Sequence, residues 1–175
     1  MEQNQPDTKK LIINYGFILG MVSILYSLTL YLTGMYRDPH WSVGILGFII
    51  LPIMVYMGIK AYKEKNNGFL LLSDALKIGI GIALVGGILA ALWNLTLTNV
   101  IHPGYTQEVL ALQKEKFLAD SPDLTQEQID QTFAISEKWQ TPFITFAISI
   151  IGSLFFGFIC SLIMGLIMQK KEDLY

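Results

Sequence analysis

The chain has 175 residues, of which 53% are hydrophobic and 15% are charged, and its formal net charge is −2. Ordinary soluble domains contain about 25% charged residues, so this composition argues against a soluble fold, and the negative charge gives no general attraction to nucleic acid. The single cysteine, Cys160, excludes an internal disulfide and a zinc site built from cysteines.

Four long apolar runs without Asp, Glu, Lys or Arg occupy most of the chain. About 17–25 helical residues are enough to cross the hydrocarbon core of a bilayer. A surface helix of a soluble protein would instead carry a polar face. We therefore predict an all-α membrane protein, a single membrane domain of residues 1–175, with four transmembrane helices at about 11–33, 41–60, 75–101 and 142–168.

The first apolar run follows Lys9 and Lys10, an arrangement that is also typical of secretory signal peptides. The apolar region of a signal peptide has about 7–15 residues and precedes a small-x-small cleavage site. The run from Leu11 to Thr33 has 23 residues, and the sequence Gly34-Met35-Tyr36-Arg37 is a poor cleavage site. We therefore expect a retained helix.

The second run contains Pro52, which lacks an N–H group and crowds the carbonyl of Phe48, so we expect a kink there. After this run, Asn66-Asn67-Gly68 is a turn signal. We expect the apolar residues 69–72 to dip into the membrane interface as a short re-entrant or interfacial piece. Ser73 or Asp74 is then predicted to cap the third helix.

The connection between the third and fourth runs, residues 102–141, is too long for a bare loop. Residues 106–119 are rich in helix formers and contain no Gly or Pro, and Ser121-Pro122-Asp123 interrupts the pattern. We predict an extracytoplasmic helical hairpin here, which either lies on the bilayer surface or projects from it.

Two local signals predict where helices begin on either side of Trp139. Thr125 with Gln128 three residues later has the form of a capping box, which predicts the start of the second helix of the hairpin. Thr141 followed by Pro142 predicts the start of the fourth membrane helix, with threonine as the cap and proline at the first helical position.

Lysine and arginine residues predict the orientation, because cytoplasmic loops carry an excess of them. Eight of the twelve lie at the two chain ends or in the second connection, and the third connection contains seven acidic residues against three lysines. We therefore expect a multi-pass protein of the inner membrane with both termini in the cytoplasm.

Small residues recur at every fourth position in the third and fourth membrane helices, and such side chains let helix backbones approach closely. We predict helix packing at Gly79, Ala83, Gly87 and Ala91 in the third helix, and at Ser153, Gly157, Ser161 and Gly165 in the fourth. The alternative is a pore or lipid groove lined by small residues. One of the two rows could also serve a contact between copies of the chain.

Asn94 and Asn99 are amides within the third apolar run. An amide in lipid needs a hydrogen-bond partner, so we expect polar contacts that join helices, each worth about 1 kcal/mol. The alternative is that these two amides contact a ligand.

Chemical motifs are scarce. The apolar runs contain no ionisable Asp, Glu, Lys, Arg or His, which argues against proton- or ion-coupled transport. Asp38, His40 and His102 could form a weak metal site, but exposed turn histidines are much commoner. We expect no cofactor, no metal and no catalytic residues, since the chain has no HExxH, GxSxG, P-loop or CxxC motif.

Three stretches resemble the bacterial membrane family known as domain of unknown function 4199: Asn67–Gly79, Ala91–Pro103, and the hairpin from Thr125 to Phe143. Members of that family often carry an acidic residue before the proline where this chain has His102, which weakens a metal or acid role there. The resemblance implies four helices in a bacterial inner membrane, and it brings no known activity.

These observations favour a small non-enzymatic scaffold or accessory subunit that contacts the lipid bilayer and a membrane protein partner. The alternative is a small transporter or channel component that acts as a homo-oligomer. An enzyme acting on lipid has the least support, and no nucleic-acid partner is expected.

Overall fold

The computed structural model describes residues 7–120 and 125–170, and the regular elements within these ranges are helices. They are α1 (Thr8–Leu32), α2 (Trp41–Lys65), α3 (Leu72–Thr96), α4 (Tyr105–Asp120), α5 (Gln126–Lys138) and α6 (Pro142–Met168). A π-helical segment, Leu97–Ile101, continues α3. The predicted break at Ser121-Pro122-Asp123 lies outside the described residues.

The prediction of four helices able to span a membrane is confirmed. The helices that are long and apolar enough are Thr8–Leu32, Trp41–Lys65, Leu72–Ile101 and Pro142–Met168. Their outward faces are apolar as well: Phe143 is 80% exposed and Ile167 is 75% exposed. Soluble monomers rarely expose large continuous apolar surface, so these faces fit a lipid environment.

Helix α3 lies at the centre of the bundle, in contact with α1, α2 and α6, and α2 also contacts both α1 and α6. The core is concentrated in one half of the bundle, where Val55, Ile59, Ile78 and Ile82 are fully buried. Helix α2 continues through Pro52 from Trp41 to Lys65, and the kink stays a prediction.

The start of α1 and the ends of α2 and α6 lie at the same end of the bundle, which we call the terminal end. Lys63 Nζ donates to the Met168 carbonyl at 2.8 Å. Leu70 and Lys170 exchange two backbone hydrogen bonds, each 2.9 Å long. The opposite end, which joins α4 and α5, is called the insertion end.

The segment before α3 corrects two of the sequence predictions. Leu70 is fully buried and pairs with Lys170, and Leu72 already belongs to α3, so residues 69–72 do not form a re-entrant piece, and their position at the membrane interface stays a prediction. The N-cap is Leu71, which makes no side-chain cap hydrogen bond, and Asp74 lies in the first turn. The pairing at Leu70 holds the chain extended up to Leu71, and this tertiary contact sets the start of the helix in place of a local cap.

Other local predictions are confirmed. Asn67 and Gly68 adopt positive φ angles of 53° and 82°, as the predicted turn requires. The capping box of Thr125 and Gln128 is present, and Thr141 caps α6 with Pro142 in its first turn.

Candidate functional site

The two rows of small residues face each other across the contact between α3 and α6. A Cβ atom added at Gly79 would overlap Ser161, one at Gly157 would overlap Ala83, and one at Gly87 would overlap Ser153. The same register continues to Gly165, which lies against Ala75 and Leu72.

This register lets the backbones of α3 and α6 approach until side chain and backbone bond directly. Ser153 Oγ donates to the Ala83 carbonyl at 2.7 Å, a hydrogen bond that joins the two helices. Ser161 is fully buried and donates to the Phe158 carbonyl within α6. Ala91, which continues the α3 row, is 3% exposed.

The amides of Asn94 and Asn99 do not join helices. Asn99 Nδ2 donates to the Leu95 carbonyl at 2.9 Å and to Thr98 Oγ1 at 3.0 Å, both in its own helix. The expectation of an interhelical bond is therefore wrong for Asn99, because its amide donates to a carbonyl one turn back in the same helix. The Asn94 side chain has no hydrogen-bond partner among the described residues and lines two neighbouring cavities.

The first of these, the insertion cavity, lies between the π-helical segment, α4 and the start of α6, and its volume is about 430 Å³. The second, the membrane cavity, lies among all four membrane helices and measures about 290 Å³. It is lined by small residues that include Gly87, Ala91 and Ser153.

A cluster around Glu108, which we call the Glu108 cluster, attaches α4 to the connection between α1 and α2. Arg37 Nε donates to Glu108 Oε1 at 2.7 Å, and the Tyr36 hydroxyl lies 3.3 Å from both carboxylate oxygens. His102 Nε2 lies 3.5 Å from Glu108 Oε2. The ring centroids of Tyr36 and Tyr105 are 4.9 Å apart.

The electrostatics of this end reflect these pairings. The hydrogen bond from Arg37 lowers the pKa of Glu108 below its ordinary value, and the same bond raises the pKa of Arg37. Lys116 binds Asp38 and lowers the pKa of that carboxyl. Two consecutive residues of one connection thus hold two positions of α4.

The three residues considered as a weak metal site, Asp38, His40 and His102, each have a different partner. His40 accepts a hydrogen bond from the Ser42 N–H at the start of α2, Asp38 binds Lys116, and His102 lies beside Glu108. Within the part of the chain that the structure describes, no three His, Cys, Asp or Glu side chains are grouped to hold a metal ion.

The sequence match to a known family covers nearly all of these features. The family described as protein of unknown function (DUF4199) matches residues 14–170. The chain belongs to the DUF4199 family. Neither a curated protein nor a solved structure matches it. The matched range of this DUF4199 protein includes both cavities, the Glu108 cluster and the small-residue contact between α3 and α6.

If the Glu108 cluster of the DUF4199 chain holds α4 in place, loss of the Glu108 charge should make α4 more dynamic. We expect Glu108→Gln to increase amide hydrogen exchange in α4 severalfold at neutral pH, because the variant loses the charge that Arg37 binds. The control is Glu115→Gln on the same helix, since Glu115 is exposed and makes no ion pair within the described residues. Equal exchange in both variants would contradict this role of Glu108.

The lowered pKa of Glu108 also predicts that hydrogen exchange in α4 depends on pH. A carboxyl with a lowered pKa contributes stability that is complete above its ordinary value, 4.5 for Glu108, and lost as the pH falls through the lowered value. Exchange in α4, corrected for the intrinsic rate at each pH, should therefore rise in the parent as the pH falls below that ordinary value and through the lowered one. Glu108→Gln should reduce this rise but not abolish it, because Asp38 also has a lowered pKa.

Proposed function

We propose that this protein is a small non-enzymatic scaffold or accessory subunit of a bacterial inner membrane. In this proposal the helical insertion of α4 and α5 forms a hairpin on the outer side, where it contacts a membrane protein partner. The observation that carries the proposal is an insertion fixed to the bundle by ion pairs, with an apolar face that the described residues leave uncovered.

The charged groups of the insertion support a structural role. Glu108 and Lys116 bind the connection between α1 and α2, and Lys114 binds Asp130, which joins α4 to α5. The rings of Phe117 and Phe133 also meet, with centroids 6.1 Å apart. These pairs and the ring contact join α4 to the first connection and to α5, as a structural insertion requires.

The uncovered face lies on α5 and at its end. Ile135 and Trp139 are each 59% exposed and lie four residues apart, so they point to the same side of the helix. Ile129 on the same helix is fully buried. The exposed pair lies close in sequence to Phe143 at the start of α6, so a partner that is itself in the membrane can reach all three side chains.

The experiment compares partner capture by the parent and by surface variants after extraction in mild detergent. We expect a defined membrane protein to co-purify at fixed stoichiometry and to be lost in Ile135→Asn combined with Trp139→Ala. The control is Ala119→Asn, an exposed position on α4. Capture that is unaffected by the double variant would contradict the proposed face.

A transporter or channel component acting as a homo-oligomer is the second candidate, and two glycines favour it. Gly44 and Gly152 lie on membrane helices with no other group within 4 Å of an added Cβ atom, so their faces are open to another copy. Solute flux into liposomes that contain only this protein would favour the second candidate over the first.

A further inference from the structure

We propose that the insertion cavity binds a neutral, hydroxyl-rich ligand, either a free sugar or the sugar head group of a lipid. The site is distinct from the proposed partner face on α5. Its volume of about 430 Å³ lies in the ordinary range of small-molecule sites, about 300–1,000 Å³.

The chemistry of the lining selects this ligand class. Hydroxyl groups come from four residues, Thr98, Tyr105, Thr106 and Thr145. Side-chain amides come from five residues, Asn94, Asn99, Gln107, Gln113 and Gln140. An amide presents donors and an acceptor side by side, which matches neighbouring hydroxyl groups on a sugar ring.

The charge of the lining argues against anions. Among the described residues that line the cavity, Glu137 is the only carboxylate, and there is no Lys, Arg or His. Phosphate and carboxylate ligands are usually held by Arg or Lys, which form strong charge-assisted hydrogen bonds. A ligand without negative charge therefore fits this cavity better than a phosphorylated one.

Two of the lining amides lack partners. Gln140 Oε1 is buried and has no hydrogen-bond partner among the described residues; the Asn94 side chain also has none, but it is partly exposed. Buried polar atoms are nearly always paired, because an unpaired one is costly. A ligand hydroxyl that donates to Gln140 Oε1 would satisfy this atom.

The π-helical segment forms one wall of the cavity. The His102 N–H donates to the Leu97 carbonyl at 2.8 Å, the i→i+5 spacing of a π-helix. Such turns are rare and frequently occur at functional sites. Here the segment supplies Thr98 and Asn99 to the cavity, while Val100 is 73% exposed on the outside.

The neighbouring membrane cavity gives a lipid a second place to bind. Asn94 lines both cavities, so they adjoin along α3. The membrane cavity lies deeper among the membrane helices, where Leu19, Leu51 and Ala90 supply apolar surface. A lipid could thus place its sugar against the amides and the adjoining part of its tail beside these residues.

The experiment uses the full chain in phosphatidylcholine nanodiscs, which contain no sugar. One arm adds methyl β-glucoside, and the other includes a glucosyl diacylglycerol in the bilayer. We expect at least one arm to reduce amide hydrogen exchange in residues 94–110. Protection by the free glucoside identifies a soluble sugar, and protection by the glycolipid alone identifies a lipid head group.

Variants connect the protection to the cavity. Gln140→Leu and Asn94→Leu should each weaken binding about tenfold or more, since each leaves a ligand hydroxyl without its partner. Gln131→Leu on α5 and Asn14→Leu on α1 are the matched controls, because both residues are exposed and line neither cavity. The two lining positions are independent, so one misfolded variant still leaves the other as a test.

Three results would overturn the proposal. The first is an absence of protection in both arms with the parent protein. The second is equal protection in a control arm in which phosphatidylglycerol replaces the glucosyl diacylglycerol, which would show that the site does not select against an anionic lipid. The third is equal loss of binding in the lining variants and in their matched controls.

Discussion

Replacing Gly157 with leucine should lower the free energy of unfolding in detergent by about 3 kcal/mol. Even a Cβ atom at this position would overlap Ala83, so a leucine side chain must force α3 and α6 apart. That separation also breaks the 2.7 Å bond from Ser153 Oγ to the Ala83 carbonyl. Gly87→Leu, which overlaps Ser153 directly, should destabilise the protein similarly.

Gly152→Leu is the matched control, because it makes the same change on α6 five residues away. An added Cβ atom at Gly152 has nothing within 4 Å, so the monomer should melt like the parent. Gly157→Ala should fall between the two, since its Cβ alone already overlaps Ala83. Thermal unfolding followed by circular dichroism compares the four proteins, and equal melting of Gly157→Leu and Gly152→Leu would contradict the contact.

The small-residue rows show what a sequence pattern can predict about helix packing and what it cannot. The four-residue spacing identified the residues but could not determine which helices pair. Helix α1 carries Gly16 and Gly20 at the same spacing, and these glycines pack against Val85 and Leu89 on another face of α3. The same pattern fits any neighbouring helix, and only the three-dimensional arrangement assigns each row to its partner.

The start of a helix could be predicted where the interactions that fix it come from neighbouring residues. Thr125 with Gln128, and Thr141 with Pro142, contain all the necessary groups within four residues. Ser73 and Asp74 gave a similar local signal and did not form the cap of α3. The deciding contact there is the pairing of Leu70 with Lys170, 100 residues away in the sequence.

The Glu108 cluster and the insertion cavity escaped sequence reasoning for related reasons. The insertion contains seven acidic residues, and nothing local indicates which of them Arg37 binds. The π-helical turn is also hidden, because Leu97–Ile101 looks like a continuation of an apolar helix. Gln140 gives no signal alone, and its place in the cavity appears only when residues of α4 and α6 line the same space.

The proposed outer position of the insertion depends on which end of the bundle faces the cytoplasm. The distribution of Lys and Arg bears on this orientation. The terminal end holds Lys10 and Lys63, with most of the other lysines nearby. The insertion end holds Arg37, Lys114, Lys116 and Lys138. More of the lysines therefore lie at the terminal end, and by the positive-inside rule we expect that end in the cytoplasm.

Reporter fusions should give an all-or-none answer. Green fluorescent protein fused after Tyr175 should fluoresce, since it folds in the cytoplasm, and alkaline phosphatase fused there should be inactive. Alkaline phosphatase inserted after Asp120 should be active, because that position follows α4 at the insertion end. The reverse pattern would place the insertion in the cytoplasm, where a sugar or partner from the outer side could not reach it. The two reporters should lie on opposite sides, because one membrane helix, α6, separates the two fusion positions.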